Sequence, residues 1–95
     1  MLFEWDDRKN RRNLRVHGID FETAVRIFND PDRIEFYDRD HSADEDRFIT
    51  IGRIETTDNL ICMVYTERKQ MIRVISARFA DKRERKIYHD CSQGY

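Results

Sequence analysis

Glycine, proline and cysteine are all scarce in this chain, at three, one and two of 95 residues. With so few glycines, backbone N–H groups have little means of wrapping a phosphate. No P-loop, dinucleotide turn or nucleophile elbow is present, so no cofactor is expected. Cys62 and Cys91 stand far apart without Cys-x-x-Cys spacing, which argues against a disulfide framework or a zinc site and for a reducing, cytoplasmic setting. Cys62 falls in an apolar run and reads as a small core residue, whereas Cys91 falls in a stretch, about 91–95, expected to be a flexible tail. Long apolar runs are missing as well. The longest are of strand length, so neither a membrane span nor a secretory signal is expected. No repeat, low-complexity tract or linker divides the chain, and residues 1–95 are expected to form a single domain.

Charge is abundant and nearly balanced. Charged residues make up 39%, the net charge is −1 and the mean hydropathy is −0.87. Such a composition could signal disorder, but the apolar residues gather into periodic runs and the net charge is small, which indicates a folded domain with a charged surface. The balance hides a segregation. Between residues 30 and 46 acids predominate, while between 67 and 90 Arg68, Lys69, Arg73, Arg78, Lys82, Arg83, Arg85 and Lys86 outnumber the acids. One surface is therefore suited to a polyanion.

Leu2, Phe3 and Trp5 form a short apolar start, read as an edge strand or a pinned arm. Asp6 suits the N-cap of a basic helix over 7–17, and Gly18 suits its left-handed stop. Asp20 caps a second helix whose buried stripe is expected at Phe21, Ala24, Val25 and Phe28, ending before Pro31. Strands follow at 34–37, 47–54, 60–66 and 71–79, with short connections that predict a four-stranded antiparallel meander. Asp81 and Glu84 have the spacing of a capping box that opens a C-terminal helix reaching about His89. The fold class is α+β: two helices, an antiparallel sheet and a final helix.

Two stretches invite a functional reading. Asp38, Asp40, Ser42, Asp44 and Asp46 imitate the alternating oxygens of a calcium loop. Ala43 stands where that loop needs glycine, however, and Ile49 where it needs a bidentate Glu, so a solvated loop is the better reading, with His41 in a local ion pair and no metal expected. The second stretch is Met71–Asp90. Strict alternation would put Ile72, Val74, Ser76 and Arg78 on one face of its strand, and Arg73, Ile75 and Ala77 on the other. Arg78 would leave the sheet near Arg83, Arg85 and Tyr88 of the next helix, and arginine suits phosphate because its planar fork makes paired, charge-assisted hydrogen bonds.

A series of motifs then runs along the chain. Phe3-Glu4-Trp5-Asp6 with Lys9 is followed by Asn13, His17-Gly18, Phe21-Glu22-x-Ala24 and Asp30-Pro31. Asp40-His41-Ser42, Glu45-x-Arg47-Phe48-Ile49, Gly52-Arg53 and Tyr65-Thr66-Glu67-Arg68 come next. Arg73-x-Ile75-Ser76-Ala77-Arg78 and Arg83-Glu84-Arg85-x-x-Tyr88 complete it. Together they resemble the BrnT family, the toxin half of BrnT/BrnA toxin–antitoxin modules, with Val16 standing where that family usually has lysine. The resemblance implies a RelE-like α+β fold and a bacterial endoribonuclease that arrests translation. It also implies a BrnA-like ribbon-helix-helix antitoxin, and contact with operator DNA only through the toxin–antitoxin complex.

Under that resemblance the chemistry would be metal-independent attack of a ribose 2′-OH on the adjacent phosphate, which needs a base, a cationic cradle and an acid. Arg78 and Arg83 are the candidates for the cradle, His17, Glu67 and Tyr88 for proton transfer, and Lys9, Arg68 and Arg73 for further RNA contacts. The competing reading is a non-catalytic module gripping nucleic acid or an acidic partner with the same cations.

Overall fold

The computed structural model describes residues 1–92. Its elements run β1 (Leu2–Glu4), α1 (Asp7–His17), α2 (Phe21–Ala24) tightening into a 3-10 turn (Val25–Asn29), β2 (Ile34–Tyr37), a short 3-10 turn (Arg39–His41), β3 (Arg47–Arg53), β4 (Leu60–Arg68), β5 (Met71–Phe79) and α3 (Lys82–Ser92). The class is α+β, but the sheet has five strands in the order β1-β5-β4-β3-β2. The apolar N-terminus forms an edge strand paired parallel to β5, so the sheet is mixed, while β2 to β5 form the antiparallel meander. Of the stretch expected to be a tail, about 91–95, Cys91 and Ser92 belong to α3, which runs past the expected end at His89; residues 93–95 lie outside the described residues.

Local chemistry explains the helix boundaries. The Asp6 carboxylate accepts the backbone N–H groups of Arg8 and Lys9 at 2.8 and 3.1 Å, and Gly18 closes α1 at φ 78°, its N–H bonded to the Leu14 carbonyl. At α3 the capping box is reciprocal: the Glu84 N–H donates to the Asp81 carboxylate and the Asp81 N–H to that of Glu84, both at 2.8 Å. The β4–β5 hairpin turns on Lys69 and Gln70, whose φ values of 50° and 67° give the paired left-handed geometry that follows the twist of the strands.

The second helix departs from its expected stripe. After one α-helical turn the chain tightens to three residues per turn, so Phe21, Ala24 and Ile27 are fully buried instead of Val25 and Phe28. Ile27 lies against Gly52 so closely that a Cβ there would stand 2.8 Å from the Ile27 Cβ; only glycine admits this approach. Phe28 turns to the side, its ring 5.1 Å from Phe3 and 5.6 Å from Tyr65, with the Arg33 guanidinium 4.3 Å above it.

The sheet carries a core on each face. Ile61, Met63, Val74 and Ala77 pack under α1 and α2, while Ile51, Leu60 and Cys62 pack under Tyr88 of α3. Past Glu4, β1 no longer covers the edge of β5, and α1 takes its place. Asn13, buried in α1, accepts the Ala77 N–H through Oδ1 at 3.2 Å and donates through Nδ2 to the Ala77 and Ile19 carbonyls at 2.7 and 2.8 Å. One amide side chain thus stands in for a sixth strand.

Candidate nucleic-acid interface and active site

The site is shaped by an irregularity in β5. Ser76 pairs with Val64 and Val74 with Tyr65, leaving Ile75 as an extra residue. Such a bulge reverses the alternation of faces. Ile72, Val74 and Ala77 therefore point into the core beneath α1 and α2, and Arg73, Ser76 and Arg78 point to the other face. The alternation expected from sequence, with Arg78 beside Ile72 and Val74, is corrected by this one residue. Its consequence is that Arg73 and Arg78 share a surface.

That surface reads as three rows across the strands. Arg78, Cys62, Ile51 and Ile34 are in register and lie at the α3 end. Ser76, Val64, Ile49 and Phe36 form the next row, all partly or fully exposed. Arg73, Thr66 and Arg47 form the third. The middle row is thus an open, mostly apolar floor edged by arginines. Three connected clefts run over it. One lies between α1 and the bulge, lined by Lys9, Arg12, Asn13, Val16, His17, Ile75 and Ser76. The second shares Ile75 and Ser76 and continues over Val64 and Ile49 to Arg47, His41 and Asp40. The third shares Ile49 and ends at Phe36, Arg83, Glu84 and Ile87.

The candidate residues are distributed unevenly around this face. Lys9 and His17 stand exposed on the α1 wall and Arg83 on the α3 wall. Arg78 is held by Glu84 through two parallel hydrogen bonds of 2.7 and 2.8 Å. Arg73 pairs with Glu4 at 3.6 Å, and Arg68 is held by Glu45 through bonds of 3.0 and 2.8 Å. Glu67 alternates onto the opposite face, in register with Ile72, so the fold does not bring it to His17 or Arg83. Tyr88 is buried, and its hydroxyl donates to Asp30 at 2.7 Å. Burial first and the Asp30 bond second push this phenol up to about 12, and the same carboxylate oxygen accepts the Arg53 N–H at 2.8 Å. The tyrosine ties α3 to β3 rather than facing the cleft.

Arg47, Phe36 and Glu84 belong to this face although nothing in the sequence singles them out as site residues. Arg47 is in no ion pair among the described residues. Its alternation with Ile49 and Ile51 is visible in the sequence, but which face of β3 stays open is not. In the acidic loop, Asp38 pairs with His41 at 3.1 Å and Asp46 accepts from Tyr37 at 3.0 Å. Among the described residues no group of three or more His, Cys, Asp or Glu is gathered as if for a metal ion.

Electrostatics centre on Glu84. The Arg78 hydrogen bonds, with help from the Asp81 N–H, hold its carboxyl at about 2 instead of 4.5. Beneath the pair, burial and then the Glu84 charge push the Cys62 thiol up to about 12, so it is no thiolate nucleophile at neutral pH. Because the folded value of Glu84 is depressed, its contribution to stability is fully present above pH 4.5 and is lost as the pH falls toward 2. Glu84→Gln keeps the capping-box acceptor but has no charge to lose. The variant should melt lower than the parent at pH 7, and the gap should close between pH 4.5 and 2 in a melting-temperature series; a constant gap would show that the Arg78 pair contributes nothing.

Fold and surface together define a small α+β protein whose open sheet face is edged by arginines. The profile of the family described as "Ribonuclease toxin, BrnT, of type II toxin-antitoxin system" matches residues 5–84, and the chain belongs to the BrnT family of ribonuclease toxins. Membership in a type II system brings with it a protein antitoxin as partner. A comparison with curated proteins finds no match to this chain. Among the described residues no helix is long and apolar enough to cross a membrane.

Proposed function

We propose that the open sheet face binds RNA and cleaves it without a metal ion. The 2′-oxygen would form a bond to the adjacent phosphorus as its proton passes to a base, and the bond to the 5′-oxygen would break as that oxygen gains a proton. The products are a 2′,3′-cyclic phosphate and a 5′-hydroxyl. The observation that carries this reading is the exposed floor Ser76–Val64–Ile49–Phe36, flanked on both sides by arginine. The floor suits the apolar surfaces of bases, and the arginine rows suit phosphate.

In this reading Arg83 and Arg78 stabilise the charge that develops on the phosphate, and Arg78 is presented rigidly because Glu84 fixes its fork. Arg47, Arg73 and Lys9 hold flanking nucleotides. His17 serves proton transfer, supported by its exposure at the cleft and by an imidazole ring that can both take up and give a proton. Glu67 and Tyr88 take no proton-transfer part, the first because of its face and the second because of its bond to Asp30. In the cell, cleavage of this kind would arrest translation in the cytoplasm, and a cognate BrnA-like ribbon-helix-helix antitoxin would neutralise it. Operator DNA would be met only through that complex.

Purified protein incubated with single-stranded RNA in EDTA tests the chemistry. Fragments ending in 2′,3′-cyclic phosphate are the expected result. RNA that stays intact both with and without ribosomes would reject catalysis and leave a binding module; cleavage only after added divalent metal would reject the metal-free route.

A further inference from the structure

Among the described residues the largest group of cations in no ion pair lies on α1, away from the arginine rows of the sheet. Arg8, Arg11, Arg12 and Arg15 fall at i, i+3, i+4 and i+7, a single stripe along the helix. All four are exposed, as is Lys9 beside them. None of these five cations is in an ion pair among the described residues, whereas Arg26, Arg33, Arg68, Arg73, Arg78 and Lys86 each have a carboxylate partner. Asp6 lies near Arg8 and Lys9, but its carboxylate is taken up by their backbone N–H groups.

Stacking like charges at i+3 and i+4 weakens a helix, and cations in the first turn oppose its dipole. Arg15 in the last turn suits the dipole, and Arg8 and Lys9 lie near the Asp6 charge. No carboxylate pairs with the stripe among the described residues, however, so a polyanion outside the chain would complement it. The stripe is also placed usefully. Arg12 belongs both to it and to the cleft of about 310 Å³ where α1 meets Ile75 and Ser76, and that cleft opens onto the floor. Eleven residues of helix are roughly 16 Å long, enough to follow several consecutive phosphates.

We propose that α1 is an RNA-backbone track that carries the strand flanking the scissile phosphate into the sheet-face site. Recognition is of phosphate and is independent of sequence, and Arg8, Arg11 and Arg15 act beyond the reacting centre. The proposal rests on the RNA reading above, and the experiment separates the two.

Binding of a 2′-O-methyl RNA oligomer, which lacks the attacking hydroxyl, is followed by fluorescence anisotropy across a salt series. The Arg8→Gln, Arg11→Gln, Arg15→Gln triple variant keeps good helix formers and leaves the cleft residues in place. Its slope of log affinity against log salt should flatten by about 2, at roughly 0.7 for each single-strand phosphate that is no longer neutralised, with affinity at low salt about tenfold weaker or worse. The corresponding triple lysine variant should retain most of the slope, and Lys82→Gln with Lys86→Gln on α3 should change it little. An unchanged slope in the triple glutamine variant would overturn the track while leaving cleavage by the parent protein intact. Retained RNA binding with loss of antitoxin binding would assign the stripe to the antitoxin and overturn it equally. Failure of the parent protein to bind or cleave RNA would remove the functional reading itself.

Discussion

Arg83→Ala should lower the RNA cleavage rate by roughly 10²–10³, the usual loss when one charge-stabilising donor is removed from a transition state. Arg83 is the cleanest cation to test. It sits exposed in the first turn of α3, lines the cleft with Phe36, Ile49 and Glu84, and is in no ion pair among the described residues. Its removal strands no buried charge, so stability should change by no more than about 0.5 kcal/mol. Arg78 lacks this advantage, because its loss would also release Glu84 and loosen the start of α3. Arg83→Lys should recover only part of the rate, since an ammonium keeps the charge but loses the bidentate fork. Single-turnover cleavage beside thermal melting checks both halves. An Arg83→Ala protein that cleaves at the parent rate would remove this residue from the cradle and shift the centre of the reaction toward Lys9 and His17.

Asn13→Leu should be the most destabilising single change on α1. The new side chain has similar bulk, but the Ala77 N–H and the Ala77 and Ile19 carbonyls would lose their partner inside the protein. Leaving such groups unsatisfied costs about 1–3 kcal/mol each, so a net loss of about 3 kcal/mol is a conservative figure. For a domain of this size it corresponds to a fall of roughly 15 °C in melting temperature. The effect should appear in the free protein, without RNA or antitoxin. A fall of only a few degrees would mean that water replaces the amide along the exposed part of the β5 edge. Because α1 also carries His17 and the arginine stripe, the variant should lose RNA affinity along with stability, unlike Arg83→Ala.

The elements that sequence alone could place are those governed by neighbours a few residues away. Asp6 and Gly18 bound α1, Asp81 and Glu84 open α3, and apolar strands with short connections imply the antiparallel meander. Cys62 in the core follows from its apolar surroundings. Each needs only backbone N–H groups, a left-handed residue or a period within one turn. The sequence also marked Arg78, Arg83, Lys9 and His17, all of which border the sheet face or its clefts.

Other features depend on contacts between distant segments. Whether the first residues form a strand, and in which direction, depends on where β5 offers an edge. The tightening after Ala24 depends on the close approach of Ile27 to Gly52. Asn13 reaches Ala77, 64 positions away, and nothing near residue 13 reveals that bond. The bulge at Ile75 lacks a glycine or proline to announce it, yet it decides that Arg73 and Arg78 look the same way. Tyr88 carried the residue type for proton transfer and the right place on its helix, but the fold commits its hydroxyl to Asp30. Sequence by itself determined the class of fold, both ends of α1, the start of α3 and the arginine supply, because those are local. Only the tertiary structure decided which arginines are neutralised and which face stays open, because ion pairs and sheet faces are made by residues far apart in the chain.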